Sequence, residues 1–248
     1  MSLPEELSLR TLDQMIEGLG ATEVHGEDGG PFLTLMSSFS PDPVGTMRVF
    51  TSPSIPKIVY CGLAVPKFGM DTHMIFGFGA HDSGVPHFTL DSVNANGSLA
   101  FHLDMIPRAE LAVHVPYMDH VYSGLNDTYN ETSKWPGLSK ANIGPRQYAM
   151  MSPWMLVNRA DEQAFKDFSA PVTGPVAQYV AHWLELINDG IPDDVRKTLD
   201  TQELKDRDER LRYNLFSPEV DPVWRDVAKI VGDDTAEKMR LQLTSNEV

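Results

Sequence analysis

Between residues 4 and 20, Leu7, Leu12, Met15, Ile16 and Leu19 recur at roughly helical spacing and Gly18 and Gly20 close the run, which predicts an amphipathic helix able to lie on a sheet. From residue 31 to 116 the period changes. Apolar and polar residues alternate in short runs separated by prolines and glycines, and 31–39, 46–51, 57–64, 72–79, 87–93, 98–104 and 111–115 each suit one strand. The connections are too short for crossover helices, so an antiparallel meander is expected. Residues 117–150 are polar, include a helix-capable stretch at 117–129, and form the kind of long connection that often lies over a site. After Ser152-Pro153 helices dominate, at 160–168, 172–189, 193–213 and 222–242; the second carries Val176, Tyr179, Val180, Trp183, Leu184 and Ile187 on one face.

One helix, a run of strands and a block of helices describe an α+β protein. With helices on both sheet faces it becomes a three-layer α/β/α sandwich around a central antiparallel β-sheet. Neither half holds both a sheet and its cover, so residues 1–248 are expected to form a single domain. The chain has 248 residues, 42% of them hydrophobic, enough to bury a sizeable core. Its 35 acidic and 20 basic side chains give a formal charge of -15. The basic residues do not cluster as phosphate binding requires, so nucleic acid is not an expected partner, and the acidity disfavours an anionic membrane surface. No run of 18 apolar residues and no signal-peptide pattern occurs, and the one cysteine, Cys61, fits a reducing compartment. A cytoplasmic protein is expected.

The run from His73 to Val93 is the richest in chemistry. Along 87–93 a period of two places His87, Thr89, Asp91 and Val93 on one face and Phe88, Leu90 and Ser92 on the other. If the first face floors a cavity, it presents a carboxyl and an imidazole able to share or relay protons, because partial burial raises an Asp and imidazole titrates near neutrality. The plainer reading is the solvated face of an amphipathic strand. From 99 to 106, alternation groups Leu99, Phe101, Leu103 and Met105 against Ala100, His102, Asp104 and Ile106, and Asp104, close to Pro107, reads as a strand-end hydrogen bonder. Eight histidines prompt a search for metal ligands, yet no HExxH or similar fixed pattern appears, and no metal is expected. Gly77-Phe78-Gly79 is followed by no helix, which removes the dinucleotide-loop reading. Asp221, before Pro222, reads as the N-cap of the last helix.

In order and spacing these segments resemble the superfamily of ferredoxin-dependent bilin reductases and red chlorophyll catabolite reductase. A histidine beginning one strand is followed, after a turn, by P-x-F-x-x-D-x-V, which Pro86, Phe88, Asp91 and Val93 fit. Residues 99–107 are similar to the strand that ends in an aspartate and a proline. Residues 207–224 resemble the C-terminal segment that carries a second acid, here Asp221, and 148–159 resemble the stretch around a serine-proline in red chlorophyll catabolite reductase. The likeness spans roughly residues 70–240.

The resemblance implies the α/β/α sandwich, with a ligand between the sheet and the C-terminal helices. It also implies reduction of a linear tetrapyrrole, a bilin or a chlorophyll catabolite, with no bound cofactor: reduced ferredoxin supplies electrons singly, and side chains supply protons to radical intermediates. Asp91 becomes the central donor, His73 its relay across neighbouring strands, Asp221 the donor from the helical side, and His87 a further candidate. Arg108, Arg146 and Arg159 are the cations available for propionates. A charge of -15 is unfavourable for docking an acidic ferredoxin. The second reading is therefore a cofactor-independent acid/base lyase or isomerase acting on a bulky aromatic molecule; a third is a non-catalytic tetrapyrrole carrier.

Overall fold

The computed structural model describes residues 1–248. Helix α1 (Leu3–Leu19) is opened by Ser2, whose hydroxyl accepts the Glu5 N–H, and closed by Gly20 in the left-handed region. The strands β1 (Thr22–Val24), β2 (Leu33–Met36), β3 (Pro43–Ser52), β4 (Ile55–Val65), β5 (Met70–Phe78), β6 (His87–Ala95) and β7 (Ser98–Ile106) follow. Helices α2 (Val115–Tyr122) and α3 (Asn126–Thr132), strand β8 (Leu138–Lys140), helix α4 (Pro145–Tyr148) and strand β9 (Leu156–Ala160) come next. The chain ends in α5 (Glu162–Phe168), α6 (Pro175–Asp189), α7 (Asp193–Arg196), α8 (Thr201–Leu215), α9 (Val223–Val231) and α10 (Asp233–Thr244). None of the helices is long and apolar enough to cross a membrane.

The nine strands form one antiparallel sheet in the order β1-β3-β4-β5-β6-β7-β9-β8, with β2 also paired to β3. The meander is as the alternation predicts, from β3 to β7. Three expectations are corrected. Residues 111–115 form no strand: they turn into α2, whose first turn holds Pro116, a residue that suits a helix start and cannot donate to a sheet. The predicted helix at 193–213 is two, because Asp200 caps α8 through the amides of Gln202 and Glu203. The one at 222–242 is also two, broken at Gly232 (φ 86°). Strand β8, within the 117–150 connection, and β9, beyond Ser152-Pro153 where helices are expected, are not predicted; they extend the sheet beyond β7.

Helices cover both faces, which makes the α/β/α sandwich. On one face Phe88, Leu90, Leu99, Phe101, Leu103 and Met105 join a core with α1, α5 and α6. On the other, Val59, Cys61, Phe76, Phe78 and Ile106 join Leu211 and Leu215 of α8, Trp224 and Val227 of α9 and Met239 of α10. Gly77 has a structural use. A Cβ there would sit 2.6 Å from the Trp183 ring, so its absence makes room for that ring of α6 against β5, with Trp183 Nε1 donating to the Pro86 carbonyl at 2.9 Å.

The second helical layer is tied to the sheet by one buried carboxylate, Asp208 of α8. His87 Nδ1 accepts the Gly79 N–H at 3.2 Å, so its ring carries the proton on Nε2 and donates it to Asp208 Oδ1 at 2.6 Å. Arg108 Nη2 lies 3.3 Å from the same oxygen, Arg212 Nη1 lies 3.9 Å from Oδ2, and His81 Nδ1 donates to Oδ2. Burial alone would raise Asp208, but the His87 hydrogen bond and the two guanidiniums outweigh it and hold the carboxyl below its ordinary range. Arg212 also lies 3.9 Å from the Phe78 ring centre and donates to the Leu243 and Ser245 carbonyls at 2.8 and 2.7 Å, carrying the clamp on to the C-terminus.

Two outcomes follow for equilibrium denaturation. Asp208→Asn leaves two buried guanidiniums without their counter-charge and is expected to cost ~3–5 kcal/mol. Because the folded pKa of Asp208 is depressed, its contribution is complete above the unfolded value of about 3.9 and is lost as pH falls below it, so the acid limb of the wild-type stability curve should flatten in the variant. Gly77→Ala is expected to cost ~1–3 kcal/mol by overpacking against Trp183, and an unchanged midpoint would contradict that packing.

Candidate functional site

Strand β6 runs through the middle of the sheet, and its period of two puts His87, Thr89, Asp91 and Val93 on the face toward α8, α9 and α10, as the alternation predicts. The two ends of this face differ. Around Phe76, Phe78, His87, Thr89, Asp104 and Ile106 it is buried under the helices. Around Thr72, Met74, Asp91, Val93, Ala100 and His102 every side chain is only half-buried, so a strip of sheet lies partly open between β5 and β7. On β9, Val157 and Arg159 are registered with His102 and Ala100 and continue the strip to an exposed margin.

Asp91 is central to this strip. Its register partners are Met74 on β5 and His102 on β7, which therefore share its face. Its Oδ1 is sealed from solvent and has no hydrogen-bond partner. Burial, reinforced by the nearby Asp221 carboxylate, pushes its carboxyl up to about 7. Such a group is about half protonated at neutral pH. Asp221 lies in the loop that leads into α9, one residue before the N-cap position, which Pro222 holds; its Oδ1 accepts the Val223 N–H at 3.1 Å across that turn, and its carboxyl is raised by burial. The expected N-cap is thus corrected by one residue, and Asp221 lies near enough for its charge to raise Asp91. Cys61, buried on β4, has its thiol pushed up to about 12 by burial and by the Asp91 charge, consistent with a packing residue. Met70, Met74, Met150 and Met151 lie half-buried against the core of this face and give it an adaptable apolar rim.

The remaining expected site residues divide. Arg146 is exposed and reaches the Glu219 carbonyl at 3.4 Å, two residues from Asp221; with Arg159 it puts cationic groups at the rim. His73 does not join Asp91. It is registered with Ser92 and so points to the opposite face, where Nε2 bonds Asp71 and Nδ1 bonds Tyr60, each at 2.8 Å, beneath α1. A residue one place out of register with its intended partner faces the other layer, and this corrects the proposed relay. His87 shares the face of Asp91 but is fully buried in the Asp208 clamp. Burial and the Arg108 charge lower it to about 3, so it is a neutral structural donor with no proton to give. Arg108 is corrected too: it is buried and donates to the Ala80 and His81 carbonyls at 3.2 and 2.9 Å, out of reach of a ligand. Asp104 is the hydrogen bonder expected, accepting Met105 N–H at 2.8 Å and Ser152 N–H and Oγ–H at 2.9 and 2.5 Å.

Two residues went unmarked in the sequence. Asp208 sits in a charged helical stretch where nothing distinguishes it from solvated neighbours. His102 was legible in part, since the alternation that placed Asp91 on one face also grouped His102 with Asp104. It is half-buried, its Nε2 is sealed and without a partner, and burial lowers it to about 4. A neutral imidazole and a carboxyl titrating near 7 thus stand side by side, each with an unanswered polar atom. No group of three or more His, Cys, Asp or Glu side chains is arranged to hold a metal ion.

No protein-family model matches this chain, and no curated protein is similar enough in sequence to be matched. Among solved structures, the crystal structure of phytochromobilin synthase from tomato in complex with biliverdin matches with a TM-score of 0.75 at 15% sequence identity, covering 98% of this chain and 82% of that one. At that identity the likeness is one of fold. The chain has the three-layer architecture of phytochromobilin synthase, the fold that the resemblance to bilin reductases implied.

Proposed function

We propose that this protein, acting as a single domain over residues 1–248, reduces a linear tetrapyrrole, taking electrons singly from reduced ferredoxin and protons from its own side chains. The observation that carries the reading is Asp91: a half-buried carboxyl with a sealed, unpartnered oxygen, raised to about 7, on the open strip of a fold shared with a biliverdin-binding protein. The strip crosses β5, β6, β7 and β9, about 14 Å at ~4.8 Å per strand spacing, which suits a flat, extended conjugated molecule. Arg146 and Arg159, both exposed, are the cations this reading assigns to its carboxylates.

The chemistry asks little more of the chain. Each electron added to a conjugated pyrrole system raises its basicity, and a protonated Asp91 beside it then transfers its proton. Asp221 has two uses. When protonated it is a second acid from the helical side, and when ionised its charge adds to burial in raising Asp91. The net charge of -15 favours a second reading, a lyase or isomerase that needs no acidic partner and moves one proton with the same Asp91.

Mixing the purified protein with biliverdin should shift its visible band, and adding a ferredoxin reducing system should bleach or move it further. Binding without turnover would leave a carrier, and absence of binding would favour the lyase or isomerase. Asp91→Asn is expected to retain the biliverdin band and lose turnover by a factor of at least ~100; full activity would remove Asp91 from the mechanism. Turnover should fall as pH rises above about 7, because the donor must be protonated. Asp221→Asn removes a charge that raises Asp91, so the descending limb should move to lower pH. A limb that stays in place or moves upward would contradict the coupling.

A further inference from the structure

We propose that His102 is the proton relay that reloads Asp91 between successive proton transfers. The inference rests on the reading of Asp91 as a proton donor and adds a residue to it. Asp91 and His102 are direct register partners on β6 and β7, which puts their Cβ atoms about 4.5–5.5 Å apart on one face. No hydrogen bond joins them, and Asp91 Oδ1 and His102 Nε2 are both sealed polar atoms without partners. Two unpartnered polar atoms on adjacent half-buried side chains are costly unless a ligand or a moving proton uses them.

The charges around His102 give the relay its direction. Asp91 faces it from β6, Asp221 lies beyond Asp91 in the loop before α9, Cys61 is on β4, and Arg159 is one pair further along on β9. Asp104, two places along β7, is engaged by Ser152 and Met105. While Asp91 is protonated, burial keeps His102 neutral. When Asp91 gives its proton to a ligand that has just accepted an electron from a one-electron iron–sulfur protein, it becomes a carboxylate beside the imidazole. That negative charge raises the proton affinity of His102, which takes a proton from water at Nδ1, the ring nitrogen that is not sealed, and passes the one on Nε2 to Asp91. One electron and one proton enter the ligand, one proton enters from solvent, and the pair ends as it began. His102 acts through Asp91 and is a positioning and relay residue.

The first test needs no ligand. Nitrogen chemical shifts of isotope-labelled histidine, assigned with His102→Gln, are followed through pH in the wild-type protein and in Asp91→Asn. The expected result is a partial protonation of His102 in the interval around pH 7 where Asp91 titrates, absent in Asp91→Asn. A His102 curve identical in the two proteins overturns the relay, whatever the enzyme does with bilins. In turnover with biliverdin and reduced ferredoxin, His102→Gln is expected to lower kcat on the order of tenfold with KM unchanged, and added imidazole to restore part of it. An unchanged kcat overturns the relay. Coupled titration with no bilin turnover would overturn the reductase reading and leave the relay standing.

Discussion

The arrangement depends on one constraint: in an antiparallel sheet a side chain shares its face with every second residue of its own strand and with the residues registered against those, and with no others. That rule sorts the chemistry of the β5–β7 meander into two layers. His73, Ser92 and Tyr60 go under α1, where Ser92 bonds Pro4 and Ser8 of the helix and His73 bonds Tyr60 and Asp71, whereas Met74, Asp91 and His102 go toward the C-terminal helices. Asp91 is raised because it is left half-covered on that face with no donor for Oδ1, and because the loop before α9 brings Asp221 near it. A shift of one residue in the pairing would send Asp91 into the apolar core of Phe88 and Leu90 and undo the site.

The same face carries two carboxylates with opposite fates. Asp208 is fully buried, yet two guanidiniums and the His87 hydrogen bond keep it ionised. Asp91 has no cation against it and a carboxylate nearby, so burial outweighs the hydrogen bonds from Thr72 and the Ser92 backbone and the carboxyl is raised. Environment, and not residue type, divides them into an ionised clamp and a carboxyl that titrates near neutrality. The clamp also serves the site, because it holds α8 on the sheet and so sets where the following loop, with Asp221, meets β6.

Much of this was legible in the chain. Period-two alternation locates β3 to β7 and the face of Asp91, and the Asp-Pro step at 221–222 marks the start of α9 to within one residue. The failures share a cause. The resemblance pairs His73 with Asp91 across neighbouring strands, but register depends on the turn between β5 and β6, which the residues of either strand do not reveal. His87 and Arg108 were read as site residues because nothing in the text marks Asp208, more than a hundred residues on, as their counter-charge. Strand β9 was missed because its five residues follow a polar connection and gain their order from pairing with β7. The resemblance to bilin reductases pointed to the fold that the likeness to phytochromobilin synthase bears out; the substrate and the donors are proposals built on the geometry.

The central claim is that Asp91 holds a proton near neutrality, and the most direct measurement is the infrared carboxylic-acid band that disappears in Asp91→Asn, followed through pH in the protein without ligand. Loss of that band with a midpoint near 7 is the predicted result. A midpoint in the ordinary carboxylate range, about 4, would show Asp91 already ionised and unable to donate, and would contradict the account.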